Sequence, residues 1–297
     1  MGLTMIDYLG KIIEYMSRTQ EEPVIFGDLY MKFLFGVIFI SIALCAFFHN
    51  ANDTVFRVIV GVLFYVMLFG ELLKQIVAPM SIDGGVITYS YNWGAFPFQL
   101  CSTPLYILPL VVFLPESKIR DAAAIYIMTV GFIGGAAVYA TPHTVFNTNV
   151  FSNLHTMTHH GIQIVSGIYV ACHYRKRVNV GMYLRGMLIF GVMLGIAIYL
   201  DTSFYDMLVS TGRIEEGFAF NMFYISPRVG MHSPFYEEWL NSFPPKIYIS
   251  MYAAIIVLAS IIVVTVAKLI SMLCTWIASK CKGKAEEICE NLVPTNN

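Results

Sequence analysis

The chain has 297 residues, 57% of them hydrophobic and only 12% charged, with a formal net charge of -1. Soluble globular chains carry about 25% charged residues, so this one has too few charges to cover a soluble surface and too much apolar content for intrinsic disorder. It offers no basic surface to a phosphate backbone, which excludes nucleic acid as a partner.

Residues 1–18 alternate Leu3, Ile6, Leu9, Ile12 and Ile13 with Asp7, Lys11 and Glu14. A secretory signal needs a basic start and then an apolar run; this pattern predicts an amphipathic helix lying in the membrane interface, within an N-terminal segment of residues 1–29. Seven apolar blocks follow, at 30–48, 55–77, 98–114, 122–140, 154–172, 183–200 and 248–272. Blocks of about 20 apolar residues cross roughly 30 Å of hydrocarbon as helices. They are continuous rather than alternating, which excludes a strand barrel. The third is the shortest and holds Pro104 and Pro109, so a kink is expected there. The predicted fold is all-α: one polytopic membrane bundle of seven transmembrane helices over residues 30–272, with a tail at 273–297. Only the connections at 78–97 and 201–246 are long.

Lys and Arg placement sets orientation. With seven spans, the first, third and fifth loops and the C-terminus share one side, which holds eleven Lys and Arg, among them Arg57, Lys118, Arg120 and Arg175. The other side spreads seven over much longer segments. The reading is a multi-pass cell-membrane protein, N-terminus outside and C-terminus cytoplasmic. On this topology Cys45 and Cys172 lie at inner span ends, Cys274, Cys281 and Cys289 are inside, and only Cys101 lies toward the outer face, which excludes a disulfide framework. The other five cysteines read as filler or as acylation sites.

Intramembrane polar residues are costly and are functional candidates by default. Here they gather at the outer end. Glu71 and Lys74 lie near the outer end of block two, and Gln99 and Cys101 open block three. His155, His159, His160 and Gln163 open block five, Asp201 closes block six, and Asn221 and His232 follow in the long loop. With Trp93 to Phe96 and Asn153 as interfacial anchors, Cys101 and His160 sit about 7 to 12 Å below the surface at 1.5 Å per residue. A cysteine with a reference pKa near 8.5 needs an adjacent base, and histidine is the usual one. Such a pair attacks an ester, holds the acyl group as a thioester and passes it to a hydroxyl or to water. A further polar group orients the imidazole; Glu71, Asp201 and Asn221 are all at hand.

Other readings compete. A single cysteine in an apolar helix is most often a small packing residue, and the Glu71/Lys74 spacing suits an ion pair on one helix face. His155 and His159, four apart, have zinc-ligand spacing. With Glu71 or Asp201 and His232 they would make a metal-dependent seven-helix lipid hydrolase, although no His-Glu-x-x-His pattern is present. A small-molecule transporter or receptor, with Glu71, Lys74 and Asp201 along a polar path, is the reading from another class. Transporters often show internal repeats, and none is visible here.

The segment Phe96-Pro97-Phe98-Gln99-Leu100-Cys101 resembles the opening of the third span in the YwaF-like integral membrane proteins, relatives of the transmembrane protein 164 acyltransferase family. The run Thr158-His159-His160-Gly161, followed by Ile168-Tyr169, resembles that family's histidine-bearing span, and Glu71 resembles an acidic residue of the preceding helix. Asn221-Met222-Phe223, Pro227, Ser233-Pro234-Phe235-Tyr236 and Trp239 are similar to its loop before the last span. The resemblance implies a phospholipid acyltransferase using a cysteine nucleophile and a histidine, without a metal or other cofactor. Carried onto this chain, the catalytic pair is Cys101 and His160, with His159, Glu71, Gln99, Asn221 and Asp201 in support. The implied partners are a phospholipid or lysophospholipid substrate and the bilayer.

The charge asymmetry is open to direct test. An exterior-active reporter fused after Asn297 should be silent and a cytoplasmic one active; the opposite pattern would invert the topology and move the polar cluster to the inner leaflet.

Overall fold

The computed structural model describes residues 5–83, 86–232 and 237–292, with side chains as far as residue 273 except at Ile6 and Asp83. It begins with a short helix, α1 (Met5–Met16), whose Met5, Tyr8, Ile12 and Tyr15 are exposed. The segment after α1 is pinned to the start of a later helix: Asn149 donates to the Met16 carbonyl at 2.9 Å, and the Gln20 N–H to Thr148 O at 2.8 Å.

Five helical stretches are long and apolar enough to cross a bilayer: Asp28–Phe48, Asp53–Val77, Lys118–Ala140, Val180–Ser210 and Pro245–Leu273. This is a multi-pass membrane protein built as a helix bundle. In chain order they comprise α2 (Asp28–Phe48); α3 (Asp53–Leu72) with a π-helical turn at Leu73–Val77; α5 (Lys118–Tyr126), a second π turn at Ile127–Gly131 and α6 (Phe132–Ala140); α8 (Val180–Tyr199), a third π turn at Leu200–Phe204 and α9 (Tyr205–Ser210); and, after a short α10 (Glu237–Asn241), the start of α11 (Pro245–Leu292). Asn52 caps α3 by accepting from Val55 N at 2.9 Å, and Asn179 caps α8 by accepting from Met182 N at 3.0 Å, the local signal that starts a helix where the chain re-enters hydrocarbon.

Two of the seven expected spans differ from these five. The third block is not one continuous helix from residue 98, and Pro109 lies within its helical part. A single 3-10 turn, Leu100–Ser102, precedes α4 (Pro104–Phe113), and Pro104 opens α4 rather than bending it. The first helical turn is where a residue without an N–H costs nothing. The fifth block is α7 (Val150–Tyr174), 25 residues long, but too rich in His, Thr, Gln and Ser to be counted among the apolar stretches. A count of seven crossings therefore depends on the short α4 and the polar α7.

α7 is the centre of the molecule. It packs against α2, α3 and α6, while α5 packs on α8 and α3 on α4. The approach of α6 to α7 rests on two small residues: a Cβ on Gly135 would lie 2.6 Å from the His160 carbonyl oxygen, and one on Gly134 3.3 Å from Cys101 Cα. Membrane helices pack closely through such positions because backbone contact replaces side-chain bulk. Two short hairpins, β1 (Met80–Asp83) with β2 (Val86–Tyr89) and β3 (Ile225–Ser226) with β4 (Gly230–Met231), lie in the long connections.

The opposite end is closed by charge. Asp53 pairs with Arg57 at 2.8 Å and with the buried Arg120, whose Nε donates to Val111 O at 3.1 Å, tying α3, α4 and α5 together. Arg175 donates to His49 O at 2.9 Å and Asn50 Oδ1 at 2.7 Å, joining α7 to the α2–α3 turn. Cys45, Cys101 and Cys172 are free thiols. Cys274, Cys281 and Cys289 lie beyond the side chains described, as do Ser233 to Tyr236.

Gly135→Ala should overpack the α6–α7 contact and cost about 1–3 kcal/mol, lowering the melting temperature in detergent. Gly191→Ala, where an added Cβ meets nothing within 4 Å, should leave it unchanged or raise it. Equal effects at the two positions would show that the close approach is not what holds α6 in place.

Candidate functional site

Three elements meet at the N-terminal end of α7: the end of α3, the turn before α4 and the loop after α9. Asn149 starts α7 by accepting from Ser152 N at 2.8 Å, and the helix then presents His155, His159 and Gln163, four apart, on one face. His159 and Gln163 hydrogen-bond to a neighbouring element, and His155 lies beside a carboxylate of another. His159 Nε2 donates to the Cys101 carbonyl at 3.0 Å, and Gln163 Nε2 donates to the same oxygen at 2.6 Å. His155 Nε2 lies 3.4 Å and His159 Nδ1 4.0 Å from Glu71 Oε2.

Glu71 is 4% exposed and is held from its own helix. Lys74 Nζ lies 2.8 Å and Gln75 Nε2 2.7 Å from its Oε1, and Tyr91 donates to Gln75 Oε1 at 2.6 Å. Lys74 and Gln75 sit in the π turn that follows α3. Such turns are frequent at functional sites because they shift side chains off the regular helical register.

Cys101 occupies the turn ahead of α4, partly buried, its Cβ 3.6 Å from where a Cβ on Gly134 would lie. His160 is 7% exposed, and its ring centroid is 5.5 Å from that of His159. Its Nδ1 lies 2.7 Å from the Thr156 carbonyl. A carbonyl only accepts, so Nδ1 carries the proton and Nε2 is left as the basic nitrogen, buried without a hydrogen-bond partner among the described residues.

The other expected residues build the wall of the site rather than its centre. Asp201, 0% exposed and in the third π turn, accepts from Met222 N at 2.6 Å. Gln99 Nε2 donates to Asn221 O at 2.8 Å, while the Asn221 side chain bridges Ser226 N and Gly230 O, each at 2.8 Å. Together they hold Phe223 and Tyr224, at φ of 54° and 60°, against the turn that carries Cys101. Phe223 stacks on Phe98, with ring centroids 6.0 Å apart. Consecutive non-glycine residues in the left-handed region cost energy and persist only where their surroundings over-determine them.

The structure thus brings Cys101, His159, Gln163, Glu71 and His155 into one cluster, with His160 beside it. Asp201 and His232 do not join: the first bonds the loop backbone, and the second pairs with Glu237 at 3.2 Å on the surface. Gln75 was missed as a polar residue of the same depth as Lys74. The strain at Phe223 and Tyr224 carries no sequence signal.

A family model matches residues 19–270 and is described as the TMEM164 family. The chain belongs to the TMEM164 family. That match covers every helix carrying the cluster, and the resemblance read from the Cys101, His160 and Asn221 segments falls within it. No curated protein and no solved structure matches the chain.

Asp201→Ala should leave the Met222 N–H buried and unpartnered, a loss of about 1–3 kcal/mol concentrated in the loop. Trypsin cleavage at Arg213 and Arg228 should then speed up, and Asp201→Asn, which keeps an acceptor, should restore resistance. Unchanged cleavage in the alanine variant would show that the loop is held by other contacts.

Proposed function

We propose that this TMEM164-family protein is an integral membrane acyltransferase that moves phospholipid acyl chains through a thioester on Cys101, with His160 as acid and base. Its seven crossings, with the N-terminus outside, put the reaction in the outer leaflet. The observation that carries the reading is the division of labour between adjacent histidines. His159 is committed to the Cys101 carbonyl, whereas His160 keeps a buried, unpartnered Nε2 with its tautomer set by Thr156 O. That is the state a general base requires, and a backbone carbonyl here does the orienting that a carboxylate does in a triad.

In the proposed cycle, His160 Nε2 takes the Cys101 proton as the sulfur attacks the ester carbonyl of a donor lipid. The tetrahedral intermediate collapses, the imidazolium protonates the departing lysolipid oxygen, and the acyl group stays on sulfur. An acceptor hydroxyl then gives its proton to His160 as it attacks the thioester, and the returning proton regenerates the thiol. His159 and Gln163, both on the Cys101 carbonyl, keep the residue from rotating away.

The test is intact-protein mass spectrometry in lipid nanodiscs. With donor lipid and no acceptor, the wild type should carry an acyl adduct that hydroxylamine removes and that is absent from Cys101→Ala. His160→Ala should slow its formation by about 10²–10⁴-fold, and His159→Ala should cost less. Full lipid turnover by Cys101→Ala would overturn the proposal, and exclusive loss in His159→Ala would reassign the base.

A further inference from the structure

We propose that Glu71, His155 and His159 form a binding site for a divalent transition-metal ion, zinc by preference, beside Cys101. One atom from each, Glu71 Oε2, His155 Nε2 and His159 Nδ1, lies within 4.8 Å of the other two. All three atoms are buried and lack a hydrogen-bond partner among the described residues. Three orphaned polar atoms converging on one point is an arrangement that native interiors avoid unless something bridges them.

Each side chain is prepared for a cation. His159 donates its Nε2–H to the Cys101 carbonyl, which leaves the Nδ1 lone pair facing Glu71; metal-bound histidines are commonly oriented in this way by a carbonyl on the far nitrogen. Lys74 and Gln75 both bind Glu71 Oε1, so Oε2 is the oxygen left over. Gly70 makes room for the His155 ring, whose Cδ2 would lie 3.3 Å from a Cβ there.

One of the three separations already matches the chemistry. Zinc bonds of about 2.0–2.2 Å in a tetrahedral site hold ligand atoms about 3.3–3.5 Å apart. The His155–Glu71 pair is at 3.4 Å, and the His159–Glu71 pair, at 4.0 Å, would have to close by about 0.5 Å. Two imidazoles and one carboxylate leave a fourth position for water or a lipid oxygen, as in sites that are not purely structural. The ion would lock the His159 ring, and through it the Cys101 carbonyl. Lys74 opposes it: an ammonium 2.8 Å from the other carboxylate oxygen weakens the hold on a cation.

The proposal departs from the metal-free expectation that the resemblance carries, does not rest on the thioester reading, and is separable from it by experiment. Purified full-length protein in nanodiscs, stripped with chelator, is titrated with Zn²⁺ and its metal content read by mass spectrometry after gel filtration; Co²⁺ is titrated in parallel for its visible absorption. Wild type and Cys101→Ala should each take up about one equivalent. Glu71→Gln and His155→Ala should lower affinity at least about 10–100-fold with an unchanged melting curve before metal is added. Lys74→Met should bind more tightly, a gain that misfolding does not produce. A wild type that takes up no zinc and gives no cobalt spectrum, or uptake undiminished in Glu71→Gln and His155→Ala, overturns the site. Zinc bound with no adduct on Cys101 would sink the acyl-transfer reading and leave the metal site standing.

Discussion

A helix that carries histidine, glutamine and serine at membrane depth has to be enclosed by protein, because hydrocarbon offers its side chains no hydrogen bonds. α7 is that helix, and the bundle is arranged to enclose it. α2, α3 and α6 pack around it, and glycines at 134 and 135 let α6 approach close enough to exclude lipid. Apolar side chains then turn outward elsewhere: α2 exposes Phe35, Phe39, Ile42 and Phe47, the composition expected of a lipid-facing helix.

The two ends of the bundle answer different demands. At one end, Asp53 with Arg57 and Arg120, and Arg175 with the α2–α3 turn, join helix ends through charged groups. At the other, regular helix gives way to π turns at Leu73–Val77 and Leu200–Phe204, a 3-10 turn at Leu100–Ser102, and a left-handed pair at Phe223 and Tyr224. Irregular backbone at membrane depth is tolerated only where it is buried in protein or lines a cavity. Asp201, Gln99 and Asn221 supply the bonds that the irregular segments lack.

Successive residues of a helix point about 100° apart, and the pair at 159 and 160 uses that angle. One histidine joins His155 and Gln163 on the face toward Glu71 and the Cys101 carbonyl; the other bonds the Thr156 carbonyl of its own helix through Nδ1. The same four-residue period that makes His155 and His159 neighbours places both within reach of a single carboxylate. Glu71, shared among Lys74, Gln75 and the two rings, is the hub of the cluster.

Composition and the length of the apolar blocks were sufficient to read an all-α membrane bundle, since spanning hydrocarbon leaves a chain almost no other option. That Glu71, Cys101, His155 and His159 could meet was also legible, because matching positions along neighbouring helices bring side chains level with one another. Sequence could not say that Pro104 begins a helix instead of bending one, since proline suits both and the preceding turn decides. Nor could it separate His159 from His160, whose rotation about the α7 axis is set by α3, α6 and the Cys101 turn. Depth comes from position along one helix; which polar groups meet at that depth is fixed only when neighbouring helices are packed and rotated to bury them.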